Sequence, residues 1–401
     1  MKPDVMDRSA VETEKVTCPR VAAIREVDAD SCRQVVHLAH LAVRGLTASY
    51  DVASGGFAQT LRGIASTGGV HLQRQGTNLR YGGMAALGIS RLPLSVQHQV
   101  LAGRTAADVA HTVADLALRA EDPGAVAMAA WAYAEVTTAY PDRLLRRLSE
   151  MLRDGRPLPT VDLSWLLTAA VVASDRGDTD DLVTGAASRL QRYCGPGDTY
   201  PHLLPPSHQS RWRAHVGSFA DQVYPVQALA RASVLTGDRT LLETADRTAA
   251  RLCDLQGPGG QWWWHYDSRT GDVVEPYPVY SVHQHAMAPM VLFDLYEAGG
   301  SDRRPEVAAG LRWLDDHPEV VEELVSDRFG VVWRKVGRRE PRKAARAMNA
   351  ATSAISPGWR TPGVDRVFPP VVVDHECRPY ELGWLLYAWL PAAGTGGGDD
   401  A

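Results

Sequence analysis

Two stretches of the chain repeat one pattern. Asp162–Tyr200 reads DLSWLLTAAVVASDRGDTDDLVTGAASRLQRYCGPGDTY, and Asp221–Trp262 reads DQVYPVQALARASVLTGDRTLLETADRTAARLCDLQGPGGQW. Each opens on Asp, runs through an apolar helical stretch, and turns at Gly-Asp (Gly177-Asp178 and Gly237-Asp238). An Ala-rich second helix follows, closing on Gly-Pro-Gly and an aromatic residue. The copies are offset by 59 residues at the first Asp and 62 at the Gly-Pro-Gly, so a small indel separates them. A looser third copy has helices from about Ser281 and from about Pro305 to Asp316, with its turn at Gly299-Gly300-Ser301-Asp302. A helical hairpin of this kind cannot bury its apolar faces alone, so such units must stack.

Helical spacing predicts about twelve segments, near 31–46, 77–91, 105–119, 123–138, 142–154, 161–175, 180–193, 218–236, 239–255, 281–298, 304–317 and 376–391. Six hairpins bury their faces by closing into an all-α (α/α)6 toroid, with one helix of each pair inside; an open solenoid is the competing arrangement. The toroid is expected over 29–392, after a loose polar arm at 1–28 and before a disordered tail at 393–401. Strand signals are scarce, and Val371–Val373 is the best of them. A charge balance of 42 Lys+Arg against 47 Asp+Glu argues against a nucleic-acid partner. There is no apolar run long enough for a membrane span. Five scattered cysteines without a CxxC pair, and no apolar leader, point to a reduced, cytoplasmic protein.

Turns inside hairpins are short, whereas the connections at about 194–217, 257–280 and 319–375 are long. In a ring, all long connections lie on one face, where the inner helices begin. Their free N–H groups and positive dipole ends suit anionic or hydroxyl-rich ligands. The helix starts carry Thr77, Asn78, Arg80 and Tyr81; Asp162 and Trp165; Asp221, Gln222 and Tyr224; His283, Gln284 and His285; and Glu376, Arg378 and Tyr380. The preceding loops add Trp262, Trp263, Trp264, His265, Tyr266, Asp267, Tyr277 and Tyr280. Indole faces among Gln, Arg, Asp and His make a floor for stacking sugar rings or sheltering a carbocation.

Each feature has a plain structural alternative. Asp162 and Asp221 head helices, where Asp is a favoured cap. The histidines fit a packed core, and the Trp run fits packing between repeats. His283 and His285, two residues apart, do not share a helix face, and His375, Glu376 and Cys377 lack metal-ligand spacing, so neither a metal nor another cofactor is expected. An Arg–carboxylate pair in VDHECRPYELGWLLYAW would tie the last hairpin to the first. Between Arg334 and Arg346 seven basic residues (Arg334, Lys335, Arg338, Arg339, Arg342, Lys343, Arg346) face Glu340 alone. That segment reads as a solvated surface helix or as a lid over 319–375 that gathers an anionic substrate.

With these features the chain resembles the α/α-toroid superfold. It is shared by six-hairpin glycosidases, polysaccharide lyases and sugar epimerases, and by squalene-hopene and class II terpene cyclases. Gln256-Gly257-Pro258-Gly259-Gly260-Gln261-Trp262 is similar to the repeat-end QW motif that the cyclases usually carry several times, here present once, and Asp178-Thr179-Asp180-Asp181 matches the letters of their DxDD acid. The second falls at an ordinary hairpin turn on the short-turn face. The glycan branch implies acid–base chemistry on a carbohydrate, including uronate- or phosphate-bearing ones. In a hydrolase, Asp221 and Glu376 are the candidate carboxylates. In a lyase or epimerase, His283 or Tyr280 takes a proton beside a carboxylate neutralised by Arg80 or Arg378. Arg80, Tyr81, Gln222, Tyr224, Trp262, Trp263, Trp264, Gln284, His285, Arg378 and Tyr380 would bind substrate. The cyclase branch implies a prenyl diphosphate substrate, and a non-catalytic glycan- or peptide-binding toroid is the third reading.

Overall fold

The structure, a computed structural model, describes residues 18–67 and 69–392. Twelve of its helices form two concentric rings. The inner ring consists of Leu79–Ile89, Pro123–Thr137, Thr160–Ala173, Phe219–Thr236, the π turn His283–Met287 running into Ala288–Glu297, and Pro379–Trp389. Each packs on the next in that order, and the last packs back on the first. The outer ring is Ala29–Ser49, Ala106–Ala117, Asp142–Arg153, Asp180–Tyr193, Arg239–Asp254 and Arg304–Trp313.

Composition decides which ring a helix joins. The inner helix Thr160–Ala173 buries Thr160 and every residue from Asp162 to Ala170, and its sequence is apolar nearly all round. The outer helix Asp142–Arg153 buries only Leu144, Leu145, Leu148 and Met151, a single stripe at helical spacing. At the short turns, Gly237 takes φ 73°, which suits glycine, and the Asp238 side chain accepts from the Thr240 N–H to start the next helix.

Closure joins the two ends of the chain. The first outer helix, Ala29–Ser49, packs on the last inner helix, Pro379–Trp389. Where that helix meets Leu79–Ile89, a side chain at Gly88 would run into the backbone of Gly383, so the seam depends on paired glycines. Strand Glu376–Cys377 adds a second tie, pairing antiparallel with Gly56–Ser66. The ion pair between Arg62 and Glu376 crosses this seam.

Two features depart from the sequence expectation. Gly56–Ser66 and Gly69–Thr77 form a β-hairpin in the connection between the helices Ala29–Ser49 and Leu79–Ile89. Most of Gly69–Thr77 is exposed, so that strand lacks the apolar alternation that would announce it. The basic segment is likewise not one surface helix. Lys335–Gly337 is the middle strand of a sheet with Val279–Tyr280 and Val372–Asp374, and a helix begins only at Ala344. Among the described residues, no helix is long and apolar enough to cross a membrane.

The short-turn end of the ring is plugged by charge. Asp294 bonds Arg20 and Arg231, while Glu135 bonds Arg91 and the Tyr387 hydroxyl. Burial alone would raise the Asp294 pKa, but Arg231 and Arg20 hold it down to about 2.

Candidate functional site

The connections 194–218, 255–282 and 314–378 all deliver the chain to inner-helix N-termini on the face opposite the plug. They surround a funnel whose floor is aromatic and closed. Trp131 and Trp384 lie 5.3 Å apart, Trp165 and Tyr224 5.2 Å apart, and Trp384 donates its indole N–H to the Tyr224 oxygen at 2.8 Å. All four are at most 4% exposed, so the funnel ends blind.

One side of the mouth is acidic. Arg80, at the start of the first inner helix, bridges two carboxylates. Its Nε donates to Asp122 at 2.7 Å and its Nη1 to Asp162 at 2.8 Å, with the guanidinium 5.4 Å from the Trp165 ring centroid. Gly124 makes room for this pair, because a side chain there would meet both Asp162 and Arg80. The two carboxylates differ in environment. Asp162 is 2% exposed, and burial raises its pKa to about 6 in spite of Arg80. Asp122 is half exposed at a helix cap; burial works against its charge, but Arg80 holds its pKa below the ordinary value. Beside them Asp221 is fully buried, accepting from the Ser218 N–H and hydroxyl, each at 2.7 Å, and lying 3.1 Å from His202 Nδ1. The Asp221 charge raises the pKa of the half-exposed His202.

A basic group adjoins these acids, with Arg213 close enough to feel the Asp221 charge. Arg346 lies 4.7 Å from the Trp264 ring centroid, and Trp264 stacks on His265 at 3.9 Å. Burial, with Arg213 nearby, lowers the Arg346 pKa to about 10. Its Nε is buried without a hydrogen-bond partner, and among the described residues neither Arg346, Arg213 nor Lys343 forms an ion pair. Burial, reinforced by Arg346, Arg213 and neighbouring cations, pushes His265 well below its usual pKa. The arc continues through Tyr280, with Arg334 4.8 Å from its ring centroid, to Tyr380 and Tyr81, whose ring centroids are 4.6 Å apart.

The residues singled out from sequence divide by position. Arg80, Tyr81, Trp264, Tyr280, Arg378 and Tyr380 are partly exposed around the mouth. Trp262 is not available to a ligand: it is 1% exposed, packed between Phe219 and Gly310. Gln222 and Gln284 are spent on backbone, the first on Tyr200, the second on the Trp262 N–H and Tyr280 carbonyl. Trp263 packs on Tyr277. His283 lies between Phe219 and Tyr280, and burial drives both His283 and His285 to pKa values of about 3. The π turn that holds them precedes Pro289, whose missing N–H leaves the His285 carbonyl free for the Trp389 indole at 2.8 Å. Glu376 is engaged by Arg62 and Arg378, and Arg378 also donates to the Tyr81 hydroxyl at 2.7 Å. Asp178, Asp180 and Asp181 are exposed on the far face, where Asp178 accepts from the Asp180 N–H as a helix cap.

Three mouth residues were not anticipated: Asp122, His202 and Arg213. Asp122 precedes Pro123-Gly124, a cap-and-first-turn signature that also heads an inner helix, so it was findable. His202 and Arg213 lie in an irregular connection with no periodicity to place them.

No protein-family model and no curated protein matches the sequence. Solved structures do match over nearly the whole chain. An unsaturated glucuronyl hydrolase specific for heparin is similar at TM-score 0.57 and 13% identity, covering 89% of this chain and 96% of that one. A sugar epimerase from a ruminal bacterium gives 0.56 and 12%, covering 88% and 97%. The cellobiose 2-epimerase of Bacillus thermoamylovorans gives 0.54 and 11%, covering 86% and 95%. The chain is an α/α toroid. Its six inner and six outer helices are the six-hairpin arrangement expected from the repeat.

Proposed function

We propose that this α/α toroid is a carbohydrate-active enzyme that acts on the end of an anionic, uronate-class saccharide by acid–base catalysis at the funnel mouth. The observation that carries this reading is what the mouth brings together. A buried carboxyl with pKa about 6 stands there with three cations, Arg346, Arg213 and Lys343, that form no ion pair among the described residues. A partly buried guanidinium whose Nε lacks a partner is costly, and an anionic group from the substrate would relieve it. The blind floor suits a chain end rather than a chain passing through. The named activities of the neighbours, a glucuronyl hydrolase and sugar epimerases, fit such a pocket.

In this reading Asp162 donates the proton to the substrate, its raised pKa keeping a usable protonated fraction near neutrality. Asp122 stays ionised, and Arg80 fixes both carboxylates. His202, oriented by Asp221, takes the proton of the attacking water, so Asp221 acts through the imidazole. Arg346, Arg213 and Lys343 hold the substrate carboxylate, while Trp264 and Tyr280 offer ring faces. Glu376 serves to seat Arg378 and the ring seam.

A product screen with unsaturated uronate disaccharides, saturated uronate oligosaccharides, neutral oligosaccharides and prenyl diphosphates tests this. Cleavage of a uronate substrate by the wild type and its loss in Asp162→Asn is the expected result. Turnover of only neutral or prenyl substrates, or turnover undiminished in that variant, overturns it. Epimerisation is the second reading, favoured by a half-exposed imidazole at the mouth, His202, with a second, buried one, His283, behind Tyr280. It would show as isomer exchange with deuterium uptake from solvent and no cleavage.

A further inference from the structure

A cavity of about 620 Å³ opens within the 319–375 insertion, outside the funnel. We propose that it is a second saccharide subsite, which receives a distal anionic unit of the chain whose end the funnel holds. The proposal rests on the function proposed above and extends it from a chain end to an oligosaccharide.

The volume lies in the range of small-ligand pockets. Its rim carries Trp359, 63% exposed, with Arg360 and Arg366. The exposed indole offers an open ring face at the cavity rim. Among the described residues, neither Arg360 nor Arg366 pairs with a carboxylate. An aromatic face beside free guanidiniums is the combination that stacks a pyranose ring and pairs its carboxylate or sulfate.

The cavity walls are fixed. Arg338 has a side chain only 1% exposed, held by Glu275 at 2.9 Å and Asp365 at 2.7 Å. Asn349 donates to Glu275 at 2.6 Å and accepts from the Thr361 N–H at 2.8 Å, which ties the rim loop to the helix Ala344–Ile355. That helix separates the two sites. Arg346 contacts Trp264 at the funnel mouth, while Asn349, three residues on, lines the cavity; the two positions are about 5 Å apart along the axis. Pro276, also in the cavity wall, accepts from the Trp264 N–H at 3.2 Å. The helix and the Trp264–Pro276 hydrogen bond therefore join the cavity wall to the funnel mouth.

The test is calorimetric titration of the Asp162→Asn protein with unsaturated di- and tetrasaccharides prepared from hyaluronan. The same titrations are made with Trp359→Ala and Arg360→Ala added on that background. Both added changes are at exposed positions and leave the ring intact. The tetrasaccharide should bind tighter than the disaccharide by about tenfold or more, and the added changes should remove that advantage without altering disaccharide affinity. Equal affinity for the two lengths, or an advantage that survives the changes, overturns the subsite. Failure of the disaccharide to bind counts instead against the funnel reading. Tetrasaccharide binding that persists in that case, and is lost with Trp359 and Arg360, still supports the cavity.

Discussion

Replacing Asp162 by Asn should change the pH dependence of stability as well as activity, and the two effects have one cause. Burial lifts the Asp162 pKa from 3.8 to about 6. The folded protein therefore binds this proton more tightly than the unfolded chain does. The resulting stability is fully present below about pH 4 and is lost as pH rises through about 6. A shift of about two units corresponds to roughly 3 kcal/mol. Asn keeps an acceptor for Arg80 but cannot ionise, so the variant lacks this loss. Relative to the wild type, it should gain roughly 2 kcal/mol on going from pH 4 to pH 7, as measured by urea unfolding of both proteins at the two pH values. Uronate turnover should meanwhile fall by about 10²–10⁴-fold, the usual contribution of a general acid. Parallel stability–pH curves for the two proteins would refute the claim that Asp162 is a buried carboxyl of raised pKa.

Other positions give independent outcomes. Arg346→Ala should raise KM for an anionic saccharide by about tenfold, one charge-assisted contact, with little change in kcat; an equal effect on a neutral analogue would contradict the anion role. The kcat/KM of the wild type should decline above about pH 6 as Asp162 loses its proton, and a profile flat from pH 5 to 8 would remove Asp162 as the donor. Trp262→Ala should cost about 3–5 kcal/mol in unfolding experiments, as expected for a large core side chain, whereas a surface ligand platform would cost far less. Asp180→Asn should leave turnover unchanged and stability within about 0.5 kcal/mol, since the residue is an exposed helix start on the far face.

The ring was legible because two copies of the repeat carry their own punctuation: Gly-Asp at the short turn and Gly-Pro-Gly after the outer helix, with a mostly apolar inner helix before them. The face on which the long connections gather followed from loop length alone. Which acid the proposed mechanism uses was harder to read, yet a signal was present. Asp162 and Asp221 occupy the same place in the repeat, three residues after the cap position. For Asp221 that cap is Ser218, which forms a reciprocal capping box and uses the carboxylate. For Asp162 the cap is Pro159, which has no side chain to offer, so the carboxylate turns to Arg80. S-x-x-D against P-x-x-D separates a capping acid from a free one. The Trp run was opaque for a different reason. Trp262, Trp263 and Trp264 are consecutive in an extended stretch and face three surroundings: the core, Tyr277 and the mouth. The β-hairpin 56–77 was missed because its outer strand lies on the surface, where no apolar alternation is required.

The most direct test of the proposed mouth is a crystal structure of the Asp162→Asn protein with an unsaturated uronate disaccharide bound. The expected result places the uronate carboxylate against Arg346 and Lys343, with the reacting end of the sugar within hydrogen-bonding distance of the side chain at position 162. A disaccharide bound in the reverse orientation, or outside the funnel, would contradict it.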